Sequence, residues 1–232
     1  MAKSALIVGT GSGISASTAR ALHREGYKLA LAARRTDKLA GLVGETGAVA
    51  IAADATKPDE VKRLFEEAER RIGEPNVVLY NASFRTRGPL VELDAADVEK
   101  ALMVSAFGGF LVGQEAARRM LQQGSGVILF TGASASVKGY AQSAPFAMGK
   151  FALRGLAQSM ARELGPKGIH VAHVVIDGGV RSAASGRVEG KDDTPDSLLD
   201  PDAIAETYLQ LIEQPRSAWS LEVELRPWVE RF

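Results

Sequence analysis

The chain has 232 residues, 28 basic and 28 acidic side chains, and no cysteine. That length can bury a sizeable core as one α/β unit, and the zero net charge offers no footprint for nucleic acid or an anionic membrane. The lack of cysteine excludes disulfides, thiolate nucleophiles and cysteine-based metal sites.

In chain order, short apolar runs predict strands at Ala5–Val8, Lys28–Ala33, Ala48–Ala53, Val77–Tyr80, Val127–Phe130, Val171–Ile176 and Leu221–Leu225. Most are continuously apolar, as strands covered on both faces must be. Helical periodicity falls between them, at Ser15–Glu25, Pro58–Ile72, Asp97–Gln122, Pro145–Leu164 and Pro201–Glu213. Strands alternating with helices predict βαβ units with right-handed crossovers. The expected fold is a single-domain Rossmann fold spanning 1–232, a doubly wound seven-stranded parallel sheet with helices on both faces. No signal-like leader precedes the first strand, and no run approaches the roughly 20 apolar residues of a membrane span, so a cytoplasmic protein with no membrane partner is expected. Residues 181–200, rich in Gly, Ser and Asp, read either as a substrate lid or as a surface loop.

The turn Gly9-Thr10-Gly11-Ser12-Gly13-Ile14 follows the first strand and opens the first helix. Glycines let the backbone turn tightly and approach a pyrophosphate, and the helix N-terminus offers free N–H groups. In that context Gly9, Gly11, Ser12, Gly13 and Ile14 are expected to bind a dinucleotide rather than to form a plain strand–helix turn. The second strand ends Ala33-Arg34-Arg35. An NAD site usually places a carboxylate there for the ribose 2′-hydroxyl. Here two guanidiniums follow instead, and they suit the 2′-phosphate of NADP.

The Gly9–Ile14 turn resembles the T-G-x-x-x-G-I-G turn of the short-chain dehydrogenase/reductase family, with Val8 for the first Thr and Ser15 for the last Gly. Ser15 adds a Cβ where helix and strand pack closely. The resemblance extends over nearly the whole chain. It implies that Asp54 reaches the adenine amino group. It also matches Asn81-Ala82-Ser83 to the N-N-A-G run, with Tyr80 and Ser83 as replacements. Asp177-Gly178-Gly179-Val180 matches the P-G-x-x segment beside the nicotinamide, adding Gly178 and Val180 to the cofactor contacts, and Ser182 falls near the family's Thr.

The family's proton donor is a tyrosine four residues before a lysine, and here that segment reads Phe146-Ala147-Met148-Gly149-Lys150. Lys150 is kept, both as catalytic lysine and as ribose contact, but phenylalanine can neither donate nor accept a proton. The family's serine position falls on Ala133, beside Ser134, and its helix asparagine position falls on Ser105. The resemblance therefore implies an NADPH-dependent oxidoreductase moving hydride between nicotinamide and a carbonyl/alcohol or activated C=C substrate. Lys150, Ser134, Tyr140 and Ser105 are the candidate catalytic residues. The alternative is a catalytically inactive NADP-binding sensor or interaction protein. His23, His170 and His173 are not clustered with carboxylates, so no metal is expected. Arg85 and Arg87, just past the fourth strand, either hold an acidic substrate or lie in a solvated loop. Apolar Phe107, Phe110, Phe151 and Leu153 on the two long helices lead to an expected homodimer or homotetramer, with Leu225-Arg226-Pro227-Trp228 as a further candidate for that interface.

Overall fold

The computed structural model describes residues 3–190 and 193–230. The seven apolar runs become seven strands of one parallel sheet: β1 (Ser4–Val8), β2 (Lys28–Ala33), β3 (Val49–Ala52), β4 (Val77–Tyr80), β5 (Gly126–Thr131), β6 (Ile169–Ile176) and β7 (Glu222–Leu225). Their order across the sheet is β3-β2-β1-β4-β5-β6-β7. The chain builds outward from β1 to β3, then returns to lay β4 on the other side of β1. Val8 stands level with Ala32 on one neighbour and Tyr80 on the other. Three strand ends thus meet where the winding direction reverses, the place where open α/β sheets bind ligands.

Among the described residues seven α-helices accompany the sheet: α1 (Ile14–Arg24), α2 (Ala40–Thr46), α3 (Pro58–Ile72), α4 (Ala95–Leu102), α5 (Gly108–Gln123), α6 (Ala144–Leu164) and α7 (Pro201–Glu213). One core joins Phe65 of α3, Val112 of α5 and Leu153 of α6 to Leu6, Tyr80 and Phe130 of the sheet. The other joins Leu22 of α1, Leu42 of α2 and Tyr208 of α7 to Ile7, Leu31 and Leu129. Alternate residues of each strand feed opposite cores, which is why the strands are apolar throughout. Burying each large apolar side chain contributes about 1.5–3 kcal/mol.

Two elements differ from the sequence reading. α2, with the 3-10 turn Asp37–Leu39 before it, was not expected, because Gly41 and Gly44 dilute its periodicity. The long helix expected over Asp97–Gln122 is broken by a π turn, Met103–Phe107. The buried Tyr80 hydroxyl donates to the Val104 carbonyl inside that turn, and a Cβ on Gly108 would collide with the same hydroxyl. A hydrogen bond from a strand residue into the helix ladder is a recognised cause of such a break.

The described part of 181–200 is tied down at several points. Val180 pairs with Leu199, and Ser182 pairs with Arg187. Residues 191–192 of the expected lid lie outside the described residues. The tail beyond β7 folds back onto this segment: Pro227 covers Gly178, and the Trp228 indole donates to the Pro195 carbonyl at 3.2 Å. Among the described residues, no helix is long and apolar enough to cross a membrane.

Candidate active site

β1 ends at Val8, and the chain must reverse before α1 begins. Gly9 makes the reversal at φ +85°, and a Cβ there would stand 2.4 Å from the Ala82 backbone nitrogen. Glycine is required both by the dihedral and by the close approach of the segment after β4. The amides of Gly9 and Thr10 both donate to the Ala32 carbonyl at 3.0 Å, which fixes the turn against β2. Beyond it, the first turn of α1 has no side-chain cap and no acidic residue. Cβ atoms built on Gly11 and Gly13 would meet nothing within 4 Å. Gly13 is the N-cap and Ile14 the first helical residue. An open, uncapped helix N-terminus supplies donors and partial positive charge, which is what a pyrophosphate requires.

The Ser15 hydroxyl has a use that spacing did not reveal. It donates to the Gly9 carbonyl at 3.2 Å and accepts from the Asn81 side-chain amide at 2.7 Å. The Asn81 backbone amide in turn donates to Val8 at 2.8 Å. Ser15 therefore fastens the glycine turn to the end of β4.

A cleft of about 980 Å³ opens over these strand ends, within the size range of small-molecule and cofactor sites. Gly9, Gly11 and Ser12 line one side, and Asp54, Asn81 and Ala82 line another. β2 ends in Ala33, so no carboxylate stands at the strand end. The wall there carries Arg34, Arg35 and Lys38. Among the described residues none of these three cations forms an ion pair, although Arg34 is near enough to Asp54 to act on its charge. Lys38 was missed in the sequence reading, although the run Arg34-Arg35-Thr36-Asp37-Lys38 held the signal. Asp54 is fixed by Thr56, whose amide and hydroxyl donate to Oδ1 at 3.0 and 2.8 Å. Burial would raise its pKa. Those hydrogen bonds and nearby Arg34 outweigh it and hold the carboxylate below its ordinary range.

On the far side, α6 carries Phe146 and, one turn on, Lys150. Lys150 is only 3% exposed, and its ammonium donates to the Thr131 carbonyl at the end of β5 at 2.7 Å. Burial lowers its pKa from 10.5 to about 8. The Phe146 ring centroid lies 5.9 Å from Lys150 Nζ and 4.9 Å from Arg85 Cζ. α6 approaches the π turn closely because residue 149 is glycine: a Cβ there would stand 2.8 Å from Ser105 Cβ. Ser105 Oγ is buried and has no hydrogen-bond partner among the described residues. His173 on β6 is buried next to Gly132, with Nδ1 3.0 Å from Glu222 Oε2, and Arg154 grips the same carboxylate through two 2.7 Å bonds. Desolvation brings the His173 pKa down to about 4. The imidazole is therefore neutral and donates from Nδ1 to an ionised Glu222.

The pattern of the short chain dehydrogenase family matches residues 3–192. The chain belongs to the short-chain dehydrogenase family. It is 30% identical over 184 residues to a human 3-oxoacyl-[acyl-carrier-protein] reductase, covering 78% of this chain and 77% of that one. A short-chain dehydrogenase from Rhodopseudomonas palustris superposes with a TM-score of 0.83 at 36% identity, over 97% of this chain and 99% of that one. An alcohol dehydrogenase from the archaeon Thermococcus sibiricus, solved in complex with 5-hydroxy-NADP, gives 0.87 at 26% identity over 100% and 99%.

Within this short-chain dehydrogenase frame the expected residues fall into two groups. Gly9, Gly11, Ser12, Arg34, Arg35, Asp54, Asn81 and Ala82 share the cleft. Gly13 and Ile14 sit just behind it at the start of α1, while Lys150, Gly178 and Val180 do not border it. Val104 and Ala184 also line it. Lys150 is sunk below the surface, Gly178 lies under Pro227, and Val180 is paired with Leu199. Ser134 opens the 3-10 turn Ser134–Ser136 after β5. Tyr140 is 44% exposed on the following loop, where Lys138 Nζ stands 5.7 Å from its ring centroid. Ser105 faces α6 rather than the cleft. Among the described residues, no group of three or more histidines or carboxylates is placed to hold a metal ion.

Proposed function

We propose that this chain is an NADPH-dependent oxidoreductase that moves hydride between nicotinamide and a carbonyl/alcohol or activated C=C carbon of a small-molecule substrate. The observation that carries the reading is the cleft wall after β2, with Arg34, Arg35 and Lys38 present and the 2′-hydroxyl carboxylate missing. The guanidiniums suit a phosphate dianion. The 5-hydroxy-NADP complex of the Thermococcus alcohol dehydrogenase supports the same choice. When bound, the cofactor supplies the hydride.

The chain's own residues do the rest. Gly11, Ser12, Gly13 and Ile14 hold the pyrophosphate, and Asp54 receives the adenine amino group. Asn81, Ala82, Gly178 and Val180 hold the nicotinamide half. The described part of 181–200 covers the mouth, and Ala184 already borders the cleft. Phe146 stands where the family keeps its tyrosine and has no proton to give. Lys150, one turn along α6 and with its pKa near 8, holds a proton at Nζ at neutral pH and supplies positive charge toward a developing alkoxide. Ser134 and Tyr140 are hydroxyls at the same end of the sheet, available to orient the substrate oxygen. Ser105 acts through α6, by setting how closely that helix approaches.

The test is a titration of the chain with NADPH and with NADH. NADPH is expected to bind at least tenfold more tightly, about the value of one charge-assisted contact of 1.5–3 kcal/mol. Arg34→Ala is expected to remove most of that preference while sparing NADH. Equal affinities in the unmutated chain would contradict the assignment.

A further inference from the structure

Arg85 lies beside Phe146 on the rim, and the charges of Arg87 and Arg187 are near enough to act on it. Arg85 comes from the loop after β4, and its guanidinium lies against the Phe146 ring, 4.9 Å from the centroid. Arg87 follows two residues later. That loop is fixed by the Gly88 amide, which donates to the Gln142 carbonyl at 3.1 Å. Gln142 itself holds a φ of 59°, unusual for a residue with a side chain. Arg187 comes from the far segment, at the close of the turn in which its amide and carbonyl bond to Ser182 at 3.0 and 2.8 Å. Its aliphatic stem lies over Gly179, where a Cβ would stand 3.4 Å from Arg187 Cδ.

Partial desolvation lowers the Arg85 pKa, and the neighbouring charges that act on it, Arg87 and Arg187, push the same way. Among the described residues, none of the three lies within ion-pair distance of a carboxylate, whereas Arg181, Arg226 and Lys138 nearby are all paired. Like charges gathered from two separate segments cost free energy when nothing answers them, and an arriving anion recovers that cost.

We propose that Arg85, Arg87 and Arg187 bind an anionic group, carboxylate or phosphate, on the substrate, so that the reacting compound is a negatively charged carbonyl compound. This rests on the oxidoreductase reading above. Guanidinium forks take either anion through paired N–H donors. Phe146 and the stem of Arg187 supply apolar surface for the carbon skeleton, and Lys150 Nζ, buried at the end of β5, lies 5.9 Å from the Phe146 ring centroid.

The experiment is calorimetric titration of the full chain, alone and saturated with NADPH, with short keto acids and their methyl esters, and with hydroxyacetone phosphate and hydroxyacetone. NADPH fills the Arg34–Arg35 wall, so an anion binding to the saturated chain binds elsewhere. At least one acid or phosphate is expected to bind roughly tenfold or more tightly than its uncharged partner. Whether the acid or the phosphate gains more identifies the anion. Arg85→Gln and Arg187→Gln are each expected to remove most of that gain with NADPH affinity and melting temperature unchanged, as exposed positions allow. Equal binding of charged and uncharged partners, no binding of either, or a gain that survives the Arg85→Gln/Arg187→Gln double variant would overturn the proposal. If NADPH fails to bind but the charged ligands keep their arginine-dependent advantage, the nucleotide reading falls and the anion site stands.

Discussion

Lys150 is where the residue-scale physics is sharpest. A buried ammonium with one carbonyl partner is held against its desolvation cost, and burial lowers its pKa from 10.5 to about 8. The sign of the consequence follows from proton counting. Below pH 8 folded and unfolded chains are both protonated at Lys150, and the cost is constant. Above pH 8 the unfolded chain holds the proton more often than the folded one, so stability rises with pH. The full shift is worth on the order of 3 kcal/mol. Tyr80 and Tyr208, whose pKa values burial raises, oppose the rise only above their ordinary value of 10.0. Urea denaturation of the cofactor-free chain should therefore show stability increasing between pH 8 and 10, and Lys150→Met should flatten that increase. Parallel curves for the two proteins would show that Lys150 is not the cause. The need for glycine at Gly9 was legible in the sequence, since a strand that must reverse before a helix calls for a positive φ there. The Ser15 hydroxyl bridge and the contact of Arg85 with Phe146 were not, because both depend on where two distant loops come together.

At the scale of elements, strand positions were legible because a strand covered on both faces must be apolar throughout. β4 and α7 have the expected bounds. The break between α4 and α5 was hidden, because Met103–Phe107 keeps helical periodicity and the disruption comes from Tyr80 on another element. Short α2 was hidden by its glycines. The outer faces of α5 and α6 expose Phe110, Leu121, Met148 and Phe151, with Phe107 at the start of α5 stacked 6.2 Å from Phe110. Several large apolar side chains on two adjacent helices form a surface suited to self-association, and we propose that copies of the chain pair there. The tail from Leu225, by contrast, makes contacts within its own chain, at Gly178 and Pro195. Light scattering at micromolar concentration should give a dimer or tetramer, and Phe110→Glu with Phe151→Glu should give a monomer. A monomeric unmutated protein would refute the pairing.

For the whole molecule, the winding reversal between β1 and β4 decides where the chemistry sits. It brings the glycine turn, the Arg34 wall and Asn81 to one edge, while the length of α6 carries Phe146 and Lys150 toward that edge from the other core. The doubly wound parallel sheet was readable because apolar runs alternate with helices, and the glycine turn marks its own place after the first strand. The substrate side was less readable, because the contacts around Phe146 and Lys150 depend on burial and on loops distant in sequence. In the reaction proposed above, this edge reduces carbonyls with NADPH, and Lys150 rather than tyrosine holds the proton. The most direct measurement is the initial rate of NADPH oxidation over a carbonyl panel as a function of pH, for the unmutated chain and Phe146→Tyr. The unmutated chain should turn over at least one anionic carbonyl, at a rate that falls as pH rises through about 8 and the Lys150 ammonium loses its proton. Phe146→Tyr should raise the rate, by at most ~10²–10⁴-fold, and remove that pH dependence. An unmutated chain that binds NADPH yet oxidises it with no carbonyl at any pH, together with an equally silent Phe146→Tyr variant, would contradict the claim.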